Sequence, residues 1–321
     1  MRKNKIIHLK KPNTLADYIS MEERQKVESL RISGFIGRKD FIEVLDNMCD
    51  VWVDYEDEDD DIGVPNYDYA PKLRLLDLGD AVYTDGVDLP FFGYRAQLEV
   101  FVLPKGIETT IDEEDGSETG LWGSERLRSL YLPEGLRTVG GFGACPSLTS
   151  LTLPEGLEEI LPFAFVECKS IASIRIPKTV MYLDGSSFAG CNISKYDIDS
   201  ENPFLTVLDG VVYNKEITTL IAFPSNYPHK HFKIPNSVNK IGNYAFKASN
   251  VEDVELHSGL MEIGGSAFVG SKIRSIAVPD SVQKMDRTTF RFCKQLESVS
   301  LPYRFHKCLR EIPNLKNWKL L

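Results

Sequence analysis

Residues Leu148–Cys168 read LTSLTLPEGLEEILPFAFVEC, and Ile171–Cys191 read IASIRIPKTVMYLDGSSFAGC. The same skeleton returns as VEDVELHSGLMEIGGSAFVGS over Val251–Ser271 and as IRSIAVPDSVQKMDRTTFRFC over Ile273–Cys293. The period is 22 or 23 residues. A unit that short cannot enclose a core by itself and must bury its apolar face against copies of itself. The sequence therefore predicts a solenoid, curved and mainly β, with short parallel strands and few helices.

The columns of the repeat carry physical meaning. A strand-closing position runs Pro133, Pro154, Pro177, Asp199, Pro235, His257, Pro279 and Pro302, with forerunners at Ser33, Gly79 and Pro104. Proline cannot donate to a ladder, so it stops pairing at the same place in each coil. Apolar residues precede it at a period of two, as in Leu130 and Leu132 or Val254 and Leu256, the pattern of a strand with one buried face. A second apolar pair follows, as in Val238 and Ile241, and then a phenylalanine: Phe165, Phe188, Phe246, Phe268 and Phe290, with Phe142 two positions early. Stacked through successive coils, these rings would fill the interior and pack edge to face. Gly185, Gly242, Gly264 and Gly265 mark a further turn, where positive φ is expected.

At these columns the chain resembles the BspA-like leucine-rich repeat family, whose unit is L-x-x-I-x-I-P-x-x-V-x-x-I-G-x-x-A-F-x-G-C. The resemblance is close in IPNSVNKIGNYAFKAS and SGLMEIGGSAFVGS, clear over 127–302, and degenerate over 27–110. It implies a leucine-rich repeat solenoid with an N-terminal helical cap. The family also implies an insertion at NPFLTVLDGVVYNKEITTLIAFP, which the residues themselves predict to be a hairpin around Asn214–Glu216. The expected organisation is a capping region with a first degenerate coil over 1–72 and degenerate coils over 73–126. Regular repeats follow over 127–302, with the hairpin insertion at 200–228, and a C-terminal apolar cap covers 303–321.

At the N-terminus, Thr14 with Asp17 and Asp40 with Glu43 have capping-box spacing and predict two helices flanking the strand VESLRIS. At the other end Leu309, Ile312, Leu315, Trp318 and Leu320 are the cap's apolar residues. The net charge of −10 is local: seven of the eight residues from Asp54 to Asp61 are acidic, and Asp112–Glu118 adds five more acids. Without those twelve the charge is about +2. No long apolar run predicts a membrane span. The start, MRKNKIIHLKKPNT, lacks the apolar stretch of a secretory signal. The family resemblance implies a cell-surface or extracellular protein, and a cytoplasmic site is the alternative.

Candidate chemistry is sparse. Cys145, Cys168, Cys191 and Cys293 share one column with Ser249 and Ser271. They are expected as small, buried, free thiols, with disulfides or a soft metal between adjacent coils as the sharper alternative. His229, His231 and His257 offer a zinc geometry, but surface histidines are expected instead. Asp112–Glu118 resembles a calcium loop only faintly, and solvated insertions are expected there and at Asp54–Asp61. No G-x-S-x-G, G-x-x-x-x-G-K or H-E-x-x-H occurs. No catalytic residue, metal or cofactor is assigned, and a hydrolase built in the insertions is the remote alternative. A basic stripe for nucleic acid is missing.

Recognition by an extended face remains. Strand positions pointing away from the core form the columns Tyr131, Thr152, Arg175, Asp197, Lys233, Glu255, Ala277, Ser300 and Ser129, Ser150, Ser173, Lys195, His231, Asp253, Ser275, Ser298. Tyr131, Arg175, Lys195, Asp197, Lys233 and Glu255 are the expected contact residues, since Tyr and Arg favour energetic centres of interfaces. The expected activity is non-enzymatic binding of a protein or glycan partner by a monomer. The resemblance points to adhesion or host interaction, and an intracellular or periplasmic scaffold is the alternative.

Overall fold

The computed structural model describes residues 4–45, 48, 72–90, 97–111 and 120–321. Both acidic runs, Asp54–Asp61 and Asp112–Glu118, and Cys49 lie outside the described residues. The chain forms two compact units, Met1–Pro154 and Glu155–Leu321.

In the first unit, strands β1 (Asn4–Leu9), β2 (Ser29–Ile36), β3 (Leu75–Tyr83), β4 (Val100–Val102), β5 (Ser129–Tyr131) and β7 (Ser150–Thr152) pair in parallel, in that spatial order, and β6 (Thr138–Val139) lies on a second side. Alternation decides which residues enter the core. Leu30, Leu76, Phe101 and Leu130 are consecutive register partners, and all are buried. The coil begins earlier than the sequence suggested, because Ile6–Leu9 forms part of β1, with Ile7 and Leu9 buried.

The helices between β1 and β2 differ from the expected ones. Thr14 makes no cap and instead donates its hydroxyl to the Lys11 carbonyl at 2.8 Å. Only the 3-10 turn Leu15–Asp17 follows it, and the capping box belongs to Ser20 and Glu23, at the short helix α1 (Met21–Arg24). Asp40 opens a π-helical turn, Asp40–Leu45, rather than a capped α-helix. Its buried carboxylate accepts from the backbone N–H groups of Asn13 (2.8 Å), Leu15 (2.8 Å) and Gly37 (2.9 Å), and so ties the segment after β1 to the segment after β2.

The second unit contains strands β8 (Glu159–Ile160), β9 (Arg175–Ile176), β10 (Tyr182–Leu183), β11 (Asp197–Ile198), β12 (Leu205–Leu208), β13 (Val211–Asn214), β14 (Thr219–Ala222), β15 (His231–Lys233), β16 (Lys240–Ile241), β17 (Asp253–Glu255), β18 (Glu262–Ile263), β19 (Ser275–Ala277), β20 (Lys284–Met285), β21 (Ser298–Leu301) and β22 (Asn317–Leu320). Three sides of each coil recur. The first side is the parallel sheet β15-β17-β19-β21-β22, with β9 and β11 paired separately. The second continues β14-β16-β18-β20. The third is the phenylalanine column.

Between the sides the chain turns by i→i+3 hydrogen bonds. The anchor carbonyls of Pro235, His257 and Pro279 accept from Val238, Leu260 and Val282, and those of Phe165, Phe246 and Phe290 from Cys168, Ser249 and Cys293. Proline suits the first corner because its own N–H is not needed there.

The aromatic column forms, with a different geometry. Phe165 and Phe188 stack at 5.2 Å and 10°, and Phe246 and Phe268 at 4.7 Å and 10°, in place of the expected edge-to-face contacts. Translation from one coil to the next repeats ring orientation along with position, so parallel offset rings result. Phe223 joins the column at 4.5 Å from Phe246. It is delivered by the insertion, which is a hairpin with an extra strand in front. β12 and β13 pair antiparallel, β13 turns into β14, and β14 then pairs in parallel with β16 through Thr219↔Lys240 and Leu220↔Ile241. The insertion thus supplies the second side of its own coil. Buried Asn202 fastens it to the preceding coil: its Nδ2 donates to the carbonyls of Pro177 (3.0 Å) and Val180 (2.8 Å), and its Oδ1 accepts from the N–H groups of Phe204 and Leu205 (both 2.8 Å).

The glycines have a different cause from the one expected. None of Gly185, Gly242, Gly264 and Gly265 has positive φ. A Cβ on Gly185 would lie 2.4 Å from the Asn243 carbonyl oxygen, and one on Gly264 2.5 Å from the Asn243 nitrogen. Close approach of neighbouring backbones excludes a side chain there. Positive φ falls instead two residues after the phenylalanine, at Glu167 (58°), Gly190 (78°), Ala248 (56°), Gly270 (67°) and Phe292 (61°). This is position i+2 of a turn, where type II geometry demands it.

Residues 303–321 add the 3-10 helix Tyr303–Glu311 and β22, which pairs in parallel with β21. Ile312 is buried, and Leu309, Leu315 and Leu320 pack against the core. Trp318 departs from expectation: it is 60% exposed although its register partner Val299 is buried. β22 is an edge strand of this sheet, so one flank of the indole has no neighbouring strand.

Candidate ligand-binding face

Strand register places the outward residues in continuous rows. In the second unit His231, Asp253, Ser275, Ser298 and Asn317 are successive partners along one row, and Lys233 pairs with Glu255 and Ala277 with Ser300 and Lys319 along the next. Sequence spacing had identified both rows as far as β21. The outward residues of β22, Asn317 and Lys319, were missed because no closing proline follows that strand.

The rows are electrostatically paired at one end. Lys233 Nζ lies 2.6 Å from Glu255 Oε1, and His231 Nδ1 lies 2.6 Å from Asp253 Oδ2. The bond from Lys233 holds the Glu255 carboxyl below its ordinary range. Next to these contacts the side chains become small: Ser275, Ala277, Ser298 and Ser300 form the floor of a shallow depression of about 480 Å³, with Asp253 and Glu255 on one side and Asn317 and Lys319 on the other. A floor of hydroxyls and methyls between charged walls admits a protruding side chain or an extended segment and supplies hydrogen bonds at its margins.

Of the expected contact residues, Lys233 and Glu255 line up in this face. Arg175 and Asp197 are register partners on β9 and β11, both exposed, but the Arg175 guanidinium reaches past Asp197 to Asp199 at 2.6 Å. Lys195 is exposed just before β11. Tyr131 belongs to the first unit, half-exposed on β5 between Val102 and Thr152. The same face of that unit carries the ion pair Arg31–Asp77 at 2.7 Å.

The thiols are buried and free at Cys145, Cys168, Cys191, Cys293 and Cys308. Cys191 donates to the Phe165 carbonyl at 3.1 Å, and Cys293 to that of Phe268 at 3.0 Å. Burial pushes the Cys191 thiol up to about 12 and that of Cys293 up to about 11. These are buried positions in the coils, and none of the five forms a disulfide. The histidines do not converge. His231 faces Asp253, His257 binds the Pro235 carbonyl at 3.1 Å, and His229 stands edge-on to Tyr227. Among the described residues no group of three or more His, Cys, Asp or Glu side chains is placed to hold a metal ion. Among them, too, no helix is long and apolar enough to cross a membrane.

Comparison with known proteins agrees with this geometry. The model of the BspA type leucine rich repeat region matches residues 119–218 and 215–314, in six copies. A leucine-rich repeat protein from Eubacterium ventriosum is 20% identical, with a TM-score of 0.53 over 70% of this chain and 73% of that one. The pneumococcal vaccine antigen PcpA is 19% identical, with a TM-score of 0.50 over 77% of this chain and 74% of that one. A leucine rich cell surface protein from Faecalibacterium prausnitzii is 17% identical, with a TM-score of 0.42 over 74% of this chain and 83% of that one. No curated protein matches the sequence. Repeat period, parallel register, phenylalanine column and a family match over more than half of the residues converge: the chain belongs to the BspA-type leucine-rich repeat family.

Proposed function

We propose that this protein is a non-enzymatic binding module that recognises a protein partner through the strand face of its second unit, at the bacterial cell surface. One observation carries the reading: register converts isolated sequence positions into a continuous face where the Lys233–Glu255 ion pair and the hydrogen-bonded His231 and Asp253 border a serine-floored depression. Solenoids bind partners along such extended repeat surfaces. Small floor residues admit a ligand side chain, while the Lys233–Glu255 ion pair and Asp253 provide the charged margin that gives specificity. The surface setting is supported by membership of the BspA-type family.

The test has two arms. Proteins captured by the intact chain are compared with those captured by the Arg175→Glu/Lys233→Glu variant and by a Ser275→Arg variant that fills the depression. Loss of the same captured protein in both, with unfolding midpoints unchanged, is expected. Equal capture by all three would remove the strand face from recognition. Fractionation of the native host supplies the second arm, and recovery in the cytosol alone would contradict the surface setting.

A further inference from the structure

We propose a second, separate binding site in the second unit, for a linear polysaccharide bearing carboxylate or sulfate groups. It lies at the turn that leads into the strand face, in the column one residue past the buried Cys/Ser position. There Lys169, Asn192, Asn250 and Lys272 recur at equivalent places, and Asn226 enters the same row from the insertion. Backbone bonds from Asn250 N to the Ser225 carbonyl (3.0 Å) and from Lys272 N to the Ser249 carbonyl (2.9 Å) stack these turns directly on one another.

The asparagines form a ladder. Asn226 Nδ2 donates to Asn192 Oδ1 at 2.8 Å, and Asn250 Nδ2 to Asn226 Oδ1 at 3.3 Å and to the Tyr227 carbonyl at 3.0 Å. The bond from Asn226 fixes the Asn192 amide by its oxygen, leaving the exposed Nδ2 without a partner among the described residues. Lysines stand at both ends and on the flank of this ladder. Lys169, Lys230 and Lys272 all line a depression of about 320 Å³ whose lining includes no acidic residue. Lys169 and Lys230 reach outlying carboxylates, Glu167 at 3.5 Å and Glu252 at 3.1 Å, and the latter also holds Arg274 at 2.9 Å. Lys272 has no ion pair among the described residues. A depression lined by three lysines and no acidic residue concentrates basic side chains at one place on the unit.

The chemistry of the lining selects the ligand class. Ammonium groups call for an anion, and lysine binds one as a point charge without demanding planar geometry. Amides both donate and accept, which suits hydroxyl groups that do the same. No aromatic ring lines the depression, so base stacking of single-stranded nucleic acid has no platform. An open row of amides between cations, repeating at the coil spacing of about 4.8 Å, fits a polymer that alternates hydroxyls with anionic groups.

The test uses the full chain with heparin-derived and hyaluronan-derived oligosaccharides, a neutral dextran oligosaccharide and poly-glutamate, followed by calorimetry at two salt concentrations. Binding of at least one acidic oligosaccharide is expected, weakened by salt, with dextran silent. The triple variant Lys169→Gln/Lys230→Gln/Lys272→Gln is expected to bind about tenfold more weakly, and Asn192→Ala more weakly as well. Lys319→Gln, on the strand face, keeps full affinity. If the triple variant unfolds, Lys272→Gln alone serves, since it leaves no carboxylate unpaired, and a measurable loss is still expected. Absence of binding by both acidic oligosaccharides, or full affinity in the lysine variants, would overturn the site. Poly-glutamate binding as tightly as the oligosaccharides, unaffected by Asn192→Ala, would overturn the polysaccharide assignment. Because Arg175, Lys233 and Ser275 lie outside this depression, failure of the strand-face reading leaves these outcomes unchanged.

Discussion

At the residue scale, three kinds of position carry the structure, and they differ in how visible they are in the sequence. The cysteines were legible because their column alternates with serine, which only a small buried site tolerates. With neutral, buried thiols, titration at pH 8 without reductant is expected to leave the five described cysteines unreactive in the folded chain and to find all of them after unfolding. The left-handed positions were hidden because Glu167, Ala248 and Phe292 occupy a site where only Gly190 and Gly270 announce its conformation. Left-handed backbone costs about 1–2 kcal/mol for a residue with a Cβ, and glycine gives back part of that gain as chain entropy. Ala248→Gly is therefore expected to stabilise by about 0.5 kcal/mol and Gly270→Ala to destabilise by a similar amount, both read from urea midpoints. Asn202 has all four of its amide bonds satisfied in the interior, and nothing in its spacing marks it. Asn202→Ala removes the side-chain partner of the Val180 carbonyl and of the Phe204 and Leu205 N–H groups, leaves the Pro177 carbonyl only its bond from the Val180 N–H, and is expected to cost about 2–4 kcal/mol in the same measurement.

At the element scale, strands were read correctly wherever period-two alternation was followed by a closing proline, as at β5, β7 and β19. β11 and β17 were also read, although Asp199 and His257 stand in the closing position, and the reading failed at the two ends of the array. β1 alternates over only a few residues, with Ile7 and Leu9 buried but the apolar Ile6 on the exposed side. β22 has no proline and leaves Trp318 uncovered. The short helices failed for another reason: Asp40 has the spacing of a cap, but its carboxylate is taken by backbone N–H groups of a distant segment, so tertiary demand overrode the local signal. The exposed ion pairs between neighbouring elements each contribute little, but their sign is clear. Glu252 and Glu297 are held below 4.5 chiefly by hydrogen bonds from Lys230 and Lys316, and Glu255 by that from Lys233. A carboxylate with a lowered folded-state value stabilises above its unfolded value and loses that stabilisation as pH falls through the folded one. The thermal midpoint is thus expected to stay level from pH 7 toward 4.5 and to drop at lower pH, with Lys233→Gln making the drop slightly shallower.

At the scale of the whole molecule, the repeat pattern carried the fold class because a period of 22 or 23 residues leaves no other way to bury the apolar columns. The candidate face was legible in part. Which residues point outward follows from alternation, whereas the depression depends on which small and charged residues become neighbours across strands, and that requires register. Phe223 shows the same limit, since the insertion breaks the spacing that would have placed its ring in the column. The stacking of Phe223, Phe246, Phe268 and Phe290 underlies the face, because these rings pack the coils that carry it against one another. A double-mutant cycle on Phe246→Leu and Phe268→Leu, read by equilibrium unfolding, measures it directly. Stacked neighbours at 4.7 Å are expected to couple by about 0.5–1.5 kcal/mol, while Phe165→Leu combined with Phe268→Leu stays additive. Additivity of the Phe246 and Phe268 changes to within about 0.3 kcal/mol would contradict a continuous aromatic core and the displayed face that depends on it.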